Sequence, residues 1–353
     1  MSREIIPNKI EKMSEYSPDV GEYLVKADVN ESPFLPSVKV MEEFHEALGK
    51  INFNRYPDPY AQELIGAFAL HYRIEAKNVV AGNGSDELIG LICEAFLQNG
   101  DVVTTLYPDF SMYEFYSEFS GAKIERFVKD ESMRFDTDRL IDKVTENRSK
   151  ILIFSNPCNP TGQLISRDEI TKIVQSLPET LVVIDEAYME FSDRDESVIR
   201  DVSAWQNAVV LKTLSKAFGS AAMRLGFCIG SEKIISALKK VKSPYNVNSI
   251  SQVFGKIILD HTDEISEKVS EIKENTKILH KSICECEKSF VDKIFPTFTN
   301  FIYIKICDSE TAKSIFDKLK KKGILVRLMG TFIRISSCTR DENETIFNEW
   351  RLL

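Results

Sequence analysis

The 353-residue chain has no apolar run approaching the roughly 18 residues that a membrane span requires. Its first twenty residues, MSREIIPNKIEKMSEYSPDV, lack the apolar core of a secretory signal. Cysteine is sparse: seven are scattered along the chain, without the spacing of a disulfide framework, and an odd number leaves one unpaired. A reducing, cytoplasmic setting is the expectation. Positive charge is in deficit, with 45 Lys and Arg against 54 Asp and Glu for a net −9, which argues against a nucleic-acid surface. Membrane and nucleic acid are therefore not expected partners.

Several catalytic signatures are missing too. The four histidines, His45, His71, His261 and His280, show no metal-ligand spacing, and Gly49 stands where a zinc-protease helix would place its second histidine. Cys284-x-Cys286 has no second cysteine pair at zinc-site spacing, so no metal is expected. No G-x-S-x-G elbow supports a serine hydrolase. Asp185-Glu186 could be the acidic pair of a nucleotide hydrolase, but the chain has no G-x-x-x-x-G-K-[ST] loop. Gly82 and Gly84 are followed by Glu87 where a dinucleotide fingerprint needs its third glycine, which disfavours a NAD-dependent dehydrogenase.

What is present is a chain long enough for about two domains, with 43% hydrophobic residues to build their cores. From about Asn78 to Ile229, short apolar runs alternate with helical patterns, the signature of a parallel sheet with crossover helices. The candidate strands are Val79–Ala81, Asp101–Leu106, Ile151–Ser155, Leu181–Ile184, Val209–Lys212 and Phe227–Ile229, several of them near-continuous apolar runs suited to burial on both faces. Glu87–Leu97 reads as a buried helix. Beyond about Ser231 the chain changes character: a Lys- and Glu-rich helical region (Glu264–Lys288), FIYIKI, a charged helix (Glu310–Lys322), then ILVRL and FIRIS. That pattern predicts a smaller α+β domain. The first 45 or so residues show no strong periodicity and are assigned to it, giving a large domain over 46–235 and a small one from 1–45 and 236–353.

Ligands of open α/β sheets bind beyond the carboxyl ends of the strands. Five consecutive strand ends carry small, polar or charged residues: Gly82-Asn83-Gly84-Ser85-Asp86, Tyr107-Pro108-Asp109-Phe110, NPCNPTG from Asn156 to Gly162, Asp185-Glu186-Ala187-Tyr188, and Thr213-Leu214-Ser215-Lys216. A glycine turn opening a helix suits a phosphate, and Arg224 could add a fixed charge to it. Phe110 offers a flat ring, and Asp185 a partly buried carboxylate seeking a cation. Tyr188 offers a hydroxyl, and Lys216 an amine made nucleophilic by burial or neighbouring cations. Phosphate, flat ring, ring-nitrogen cation, phenolic oxygen and aldehyde are the parts of pyridoxal phosphate. Each motif has a plainer reading: Gly82-x-Gly84 as a tight turn, NPCNPTG as the turn before a helix, Lys216 as a surface lysine. Lys212, facing away from Thr213, reads as structural or solvated.

On these residues the chain resembles fold-type I pyridoxal-phosphate aminotransferases, and within them the histidinol-phosphate branch. The resemblance rests on Asn30-Glu31-Ser32-Pro33, Arg55-Tyr56-Pro57-Asp58, Gly84-Ser85-Asp86-Glu87, NPCNPTG, DEAY, TLSKAFGSAAMRLG, PYNVN (Pro244 to Asn248) and FIRIS. It implies an α/β fold, a large domain with a mostly parallel seven-stranded sheet and a smaller α+β domain. It implies pyridoxal 5′-phosphate as cofactor, with Lys216 as the residue that bonds it and then shuttles the substrate proton. Asp185 would pair with the ring nitrogen, Tyr188 and Asn159 with the ring oxygen, and Phe110 would stack on the ring. The phosphate would lie among Gly84, Ser85, Asp86, Thr213, Ser215 and Arg224, reached by Tyr56 of a neighbouring subunit in a homodimer.

Arg334, Arg327, Asn159, Tyr16 and Asn30 would bind substrate, an amino donor and then a 2-oxo acid. One pocket would thus take a phosphate and then a carboxylate, which a pair of arginines suits. The chain departs from the family pattern in the trimmed segment between Tyr16 and Asn30, the six-residue LMGTFI between Arg327 and Arg334, Cys158 where Asn is common, and FGSAAM after Lys216. The rivals are a threonine-phosphate decarboxylase-like enzyme of corrinoid synthesis, which Tyr245 disfavours where a tryptophan is expected, and a broad or aromatic amino-acid aminotransferase. A silent relative that only binds the cofactor would not need Lys216.

Overall fold

A computed structural model describes residues 5–6, 8–11, 15 and 19–353. Its strands are β1 (Val25–Lys26), β2 (Val79–Gly82), β3 (Val102–Tyr107), β4 (Lys123–Val128), β5 (Ile151–Ser155), β6 (Leu181–Asp185), β7 (Ala208–Thr213), β8 (Gly226–Gly230), β9 (Val291–Ile294), β10 (Phe301–Ile306), β11 (Ile324–Leu325), β12 (Arg327–Met329) and β13 (Phe332–Ser336). Seven of them form one sheet in the order β2-β8-β7-β6-β5-β3-β4. The ladders from β7 through β4 are parallel, while β8 runs antiparallel to both β2 and β7.

The central strands β5, β6 and β7 are buried at every position, because helices cover both faces and only apolar runs satisfy that environment. The edge strand β4, KIERFV, has no residue classed as buried. Its charged residues Lys123, Glu125 and Arg126 protect such an edge from pairing with other chains. They also hide the strand from a search for apolar runs, so the residue pattern yields six strands of this sheet where the structure has seven.

β9, β10, β12 and β13 form a second, antiparallel sheet in the order β12-β13-β10-β9, and β1 pairs with β11 in a two-stranded parallel ladder. ILVRL, expected as one strand, divides at Val326: Ile324–Leu325 joins β1, while Arg327–Met329 joins β13. The expected long helix spans Thr262–Glu285 and the charged one Ser309–Lys321. The helices Val38–Leu48 and Ser249–Asp260 place Val40, Phe44, Phe254 and Ile257 in the same apolar core as Phe154, Ile184 and Val210 of the large sheet. Side chains from before residue 45 and after residue 235 thus share a core with the large sheet. A separate core, with Ile302, Ile304, Ile333 and Trp350, underlies the second sheet.

Candidate active site

The helix Ser85–Phe96 opens on Gly84 with no side-chain cap and with Asp86 and Glu87 in its first turn. Gly84 has φ +88°, and a Cβ there would lie 2.6 Å from Arg224 Nη2. A Cβ on Gly226 would stand 2.5 Å from Gly84 C and Ser85 N. Glycine at both positions lets β8 and the Arg224 guanidinium approach the turn, leaving a cationic group beside uncapped backbone N–H donors. Arg224 Nη2 is 3.3 Å from Asp86 Oδ2, and Nη1 donates to Ala221 O at 3.2 Å. At the end of β7, Thr213 Oγ1 lies 2.9 Å from Ser215 Oγ, and Ser215 N donates to Thr213 Oγ1 at 3.1 Å.

Asp185 ends β6, 4% exposed, accepting from Tyr113 Oη at 2.9 Å and from Ala187 N at 3.0 Å. Among the described residues no cation pairs with it. Burial pushes its carboxyl up to about 7, only partly offset by those two donors. Tyr113 is a residue that the sequence reading missed: it sits inside the helix Met112–Phe119, where nothing distinguishes it from a core aromatic. Its ring meets that of Phe110 edge-to-face, with centroids 5.5 Å apart.

The third strand end, NPCNPTG, is held from below. Ser155 Oγ donates to Asp109 Oδ1 and accepts from Asn159 N at 3.0 Å. Lys129, buried and also unforeseen, donates to Pro108 O at 2.9 Å and to Cys158 Sγ at 3.0 Å. Asn159 Oδ1 accepts from Arg334 Nη1, whose Nη2 donates to Asp28 O. Arg334 is 7% exposed, and its Nε has no hydrogen-bond partner. In the β12–β13 register Arg327 is directly opposite Arg334, so the short hairpin brings the two guanidinium-bearing residues side by side.

Lys216 Nζ donates to Val29 O at 2.8 Å and lies 5.9 Å from the centre of the Tyr188 ring. Tyr188 Oη accepts from Asn30 Nδ2 at 3.0 Å, and Asn30 Oδ1 accepts from Ser336 Oγ at 2.8 Å. The segment Asp28–Asn30 therefore touches Lys216, Tyr188 and Arg334 together. Tyr56 lies apart from this cluster, 80% exposed and stacked on Tyr245 at 4.5 Å. Tyr16 lies outside the described residues. Lys212 is buried between Glu186 Oε2 at 3.2 Å and Glu190 Oε1 at 2.7 Å, beneath the site rather than in it. No group of three or more candidate metal ligands occurs among the described residues, and no described helix is long and apolar enough to cross a membrane.

This architecture and its polar strand ends define an enzyme of the transaminase class. The chain belongs to the family described as "Aminotransferase class I and II", whose sequence profile matches residues 23–348. It is 38% identical to the histidinol-phosphate aminotransferase of Clostridium novyi (strain NT), over 99% of this chain and 97% of that protein. Among solved structures it is similar to histidinol-phosphate aminotransferase from Sinorhizobium meliloti in complex with pyridoxal-5′-phosphate (TM-score 0.89, 23% identity, 98% and 96% of the two chains). It is also similar to L-threonine-O-3-phosphate decarboxylase from Porphyromonas gingivalis (TM-score 0.81, 20% identity, 93% and 99%).

Proposed function

We propose that the chain is a pyridoxal 5′-phosphate-dependent aminotransferase of histidine biosynthesis, moving the amino group of histidinol phosphate to 2-oxoglutarate to give imidazole acetol phosphate and glutamate. The residues fit the cofactor on their own terms. Asp185 is a buried carboxyl with no described cation beside it, which suits a ring-nitrogen cation. The Gly84–Glu87 turn with Arg224 suits a phosphate, and the hydroxyls of Thr213 and Ser215 lie on the same edge. When bound, the cofactor supplies the carbonyl and electron-withdrawing ring that make the substrate's Cα–H acidic.

In this reading Lys216 would hold the cofactor and, once displaced by the substrate amine, would serve as the base at the substrate's Cα. Asp185 would pair with the ring nitrogen, and Tyr188, fixed by Asn30, would hydrogen-bond the ring oxygen, as would Asn159. Arg334, buried and with an unpartnered Nε, offers a planar fork to the substrate's anionic end, with Arg327 beside it. Substrate binding by Tyr16 stays with the family resemblance. The seven-stranded sheet with its helices carries the cofactor, and the sheet holding β12 and β13 carries the substrate arginines. Tyr56, exposed and stacked on Tyr245, reaches a second copy's site in a homodimer, and the free cysteines accord with a cytoplasmic protein.

The observation that carries the reading is the buried Arg334 bonded to Asn159, combined with 38% identity over 99% of the chain to a histidinol-phosphate aminotransferase. Its test is a single-turnover spectrum. Purified protein loaded with cofactor shows a near-visible band from the lysine-bound form, which histidinol phosphate bleaches and 2-oxoglutarate restores. K216A lacks that band and the half-reaction. A wild-type band unmoved by histidinol phosphate but lost with phosphothreonine or phenylalanine would overturn the substrate and keep the class.

A further inference from the structure

The helix Glu232–Val241 ends at Lys242, whose side chain turns back over the two loops that follow and face it. Its Nζ lies 2.9 Å from Pro59 O, 3.1 Å from Ser243 O, 3.3 Å from Pro244 O and 3.1 Å from Asn246 Oδ1. An ammonium group has three protons for those four oxygens, so it sits in a cage of the kind that a monovalent cation occupies. The charged groups facing it are Glu87, Asp58 and Lys239.

The cage is connected to the phosphate turn. With its oxygen committed to Lys242, the Asn246 amide is fixed in orientation, and its Nδ2 donates to Glu87 Oε2 at 2.9 Å and to Ala81 O at 3.2 Å. Glu87 Oε2 also accepts from Asn83 N at 2.5 Å. Gln252 makes a second tie between the same segments, donating to Asp58 O and Val247 O, both at 2.9 Å. Gln252 carries no charge and does not reach Asn246. Only Lys242 joins the Pro59 carbonyl to the Asn246–Glu87–Asn83 chain in these hydrogen bonds.

We propose that Lys242 is a positioning residue for the cofactor's phosphate: its ammonium ion ties the segment carrying Tyr56 to the loop carrying Tyr245 and, through Asn246 and Glu87, sets the Asn83–Gly84 turn. The inference rests on the phosphate lying at that turn, as assigned above. Without the ammonium the four oxygens lose their shared donor, the Asn246 amide loses its fixed sense, and Glu87 loses a donor held in place.

The test measures two quantities in wild type, K242M and R224A: the cofactor dissociation constant, and the rise in melting temperature that inorganic phosphate gives the cofactor-free protein. K242M is expected to weaken cofactor about tenfold and to shrink the phosphate shift, a loss typical of one charged hydrogen-bonding group. Ammonium chloride at about 0.1 M restores most of both, because the ion refills the oxygen cage, whereas choline chloride at equal ionic strength does not. R224A loses phosphate affinity with no response to ammonium.

Wild-type values in K242M beside a weakened R224A would overturn the role of Lys242 and leave the phosphate assignment standing. Wild-type values in R224A would overturn that assignment and this inference with it. Equal rescue by choline would show bulk screening and overturn the cage. K242Q, which keeps a similar length and loses the charge, carries the same expectations and replaces K242M if that variant does not fold.

Discussion

Asp185 gives up its proton near pH 7 in the folded chain because the carboxylate is out of water, with Tyr113 and Ala187 N–H as its donors. An unfolded aspartate does so near 4. Between those values the folded state binds more protons than the unfolded one, so this residue's contribution to stability falls as pH rises from about 4 to about 7, by about 4 kcal/mol in all. D185N keeps both contacts, accepting from Ala187 N and donating to Tyr113. The cofactor-free variant should therefore melt above wild type at pH 8, with the gap closing towards pH 4, while its affinity for the cofactor drops. Equal melting curves across that range would remove the argument. A second residue-scale expectation concerns Arg334. R334K keeps the charge and loses the fork, so it should raise KM for both substrates by ten- to a hundred-fold, about 1.5–3 kcal/mol, and change kcat far less; steady-state kinetics decide it.

Asp185, Tyr188, Lys216 and Arg224 were legible because each follows a buried apolar strand or sits at fixed spacing from one, although the same signal also marks Lys212, which pairs with Glu186 and Glu190 instead. Tyr113, Lys129 and Asp28 were not. Tyr113 looks like a core aromatic until its hydroxyl is seen against Asp185. Lys129 looks like a surface lysine until the Cys158 sulfur, remote in sequence, is brought to 3.0 Å. Asp28 contributes a backbone carbonyl to Arg334, which no side-chain pattern encodes.

At the scale of elements, β8 depends on the absence of a side chain. Gly226 pairs with Gly82 on one side and Thr213 on the other, and its missing Cβ is the space taken by Gly84 C and Ser85 N. These are backbone atoms and cannot turn aside. G226A should therefore push the phosphate turn away, weakening cofactor binding by more than tenfold and lowering the melting temperature. G66A is the opposite case: Gly66 lies inside the helix Gln62–Tyr72 with nothing within 4 Å of an added Cβ. It should stabilise by about 0.5–1 kcal/mol in denaturant titration and leave cofactor affinity unchanged. The same scale explains what pattern reading lost. β4 carries three charged residues among only two half-buried apolar ones, Ile124 and Phe127, and β11 and β12 are one sequence run divided between two sheets, a partition decided by partners and not by composition.

For the whole molecule the expectation is a shared active site. If Tyr56 is supplied by the neighbouring copy, as proposed above, K216A and Y56A are defective in different places. A dimer containing one of each holds one site with both residues intact. Mixing the two inactive proteins under conditions of subunit exchange should recover about a quarter of wild-type activity, since half the dimers are mixed and each has one good site in two. No recovery, with exchange shown by mass, would place Tyr56 in its own subunit's chemistry.

The division at Val326 has a mechanical consequence. Ile324 and Leu325 are laddered to Val25 and Lys26, and one residue later Arg327 begins the hairpin that ends in Arg334 and Ser336. The chain that runs on from Lys26 delivers Val29 to Lys216 and Asn30 to Tyr188 and Ser336. Residues 25–30 and the arginine hairpin are thus coupled like two ends of one lever, with Val326 at the fulcrum. A displacement of the hairpin would therefore reach, through the Ile324–Leu325 ladder, the segment whose Val29 carbonyl accepts from Lys216.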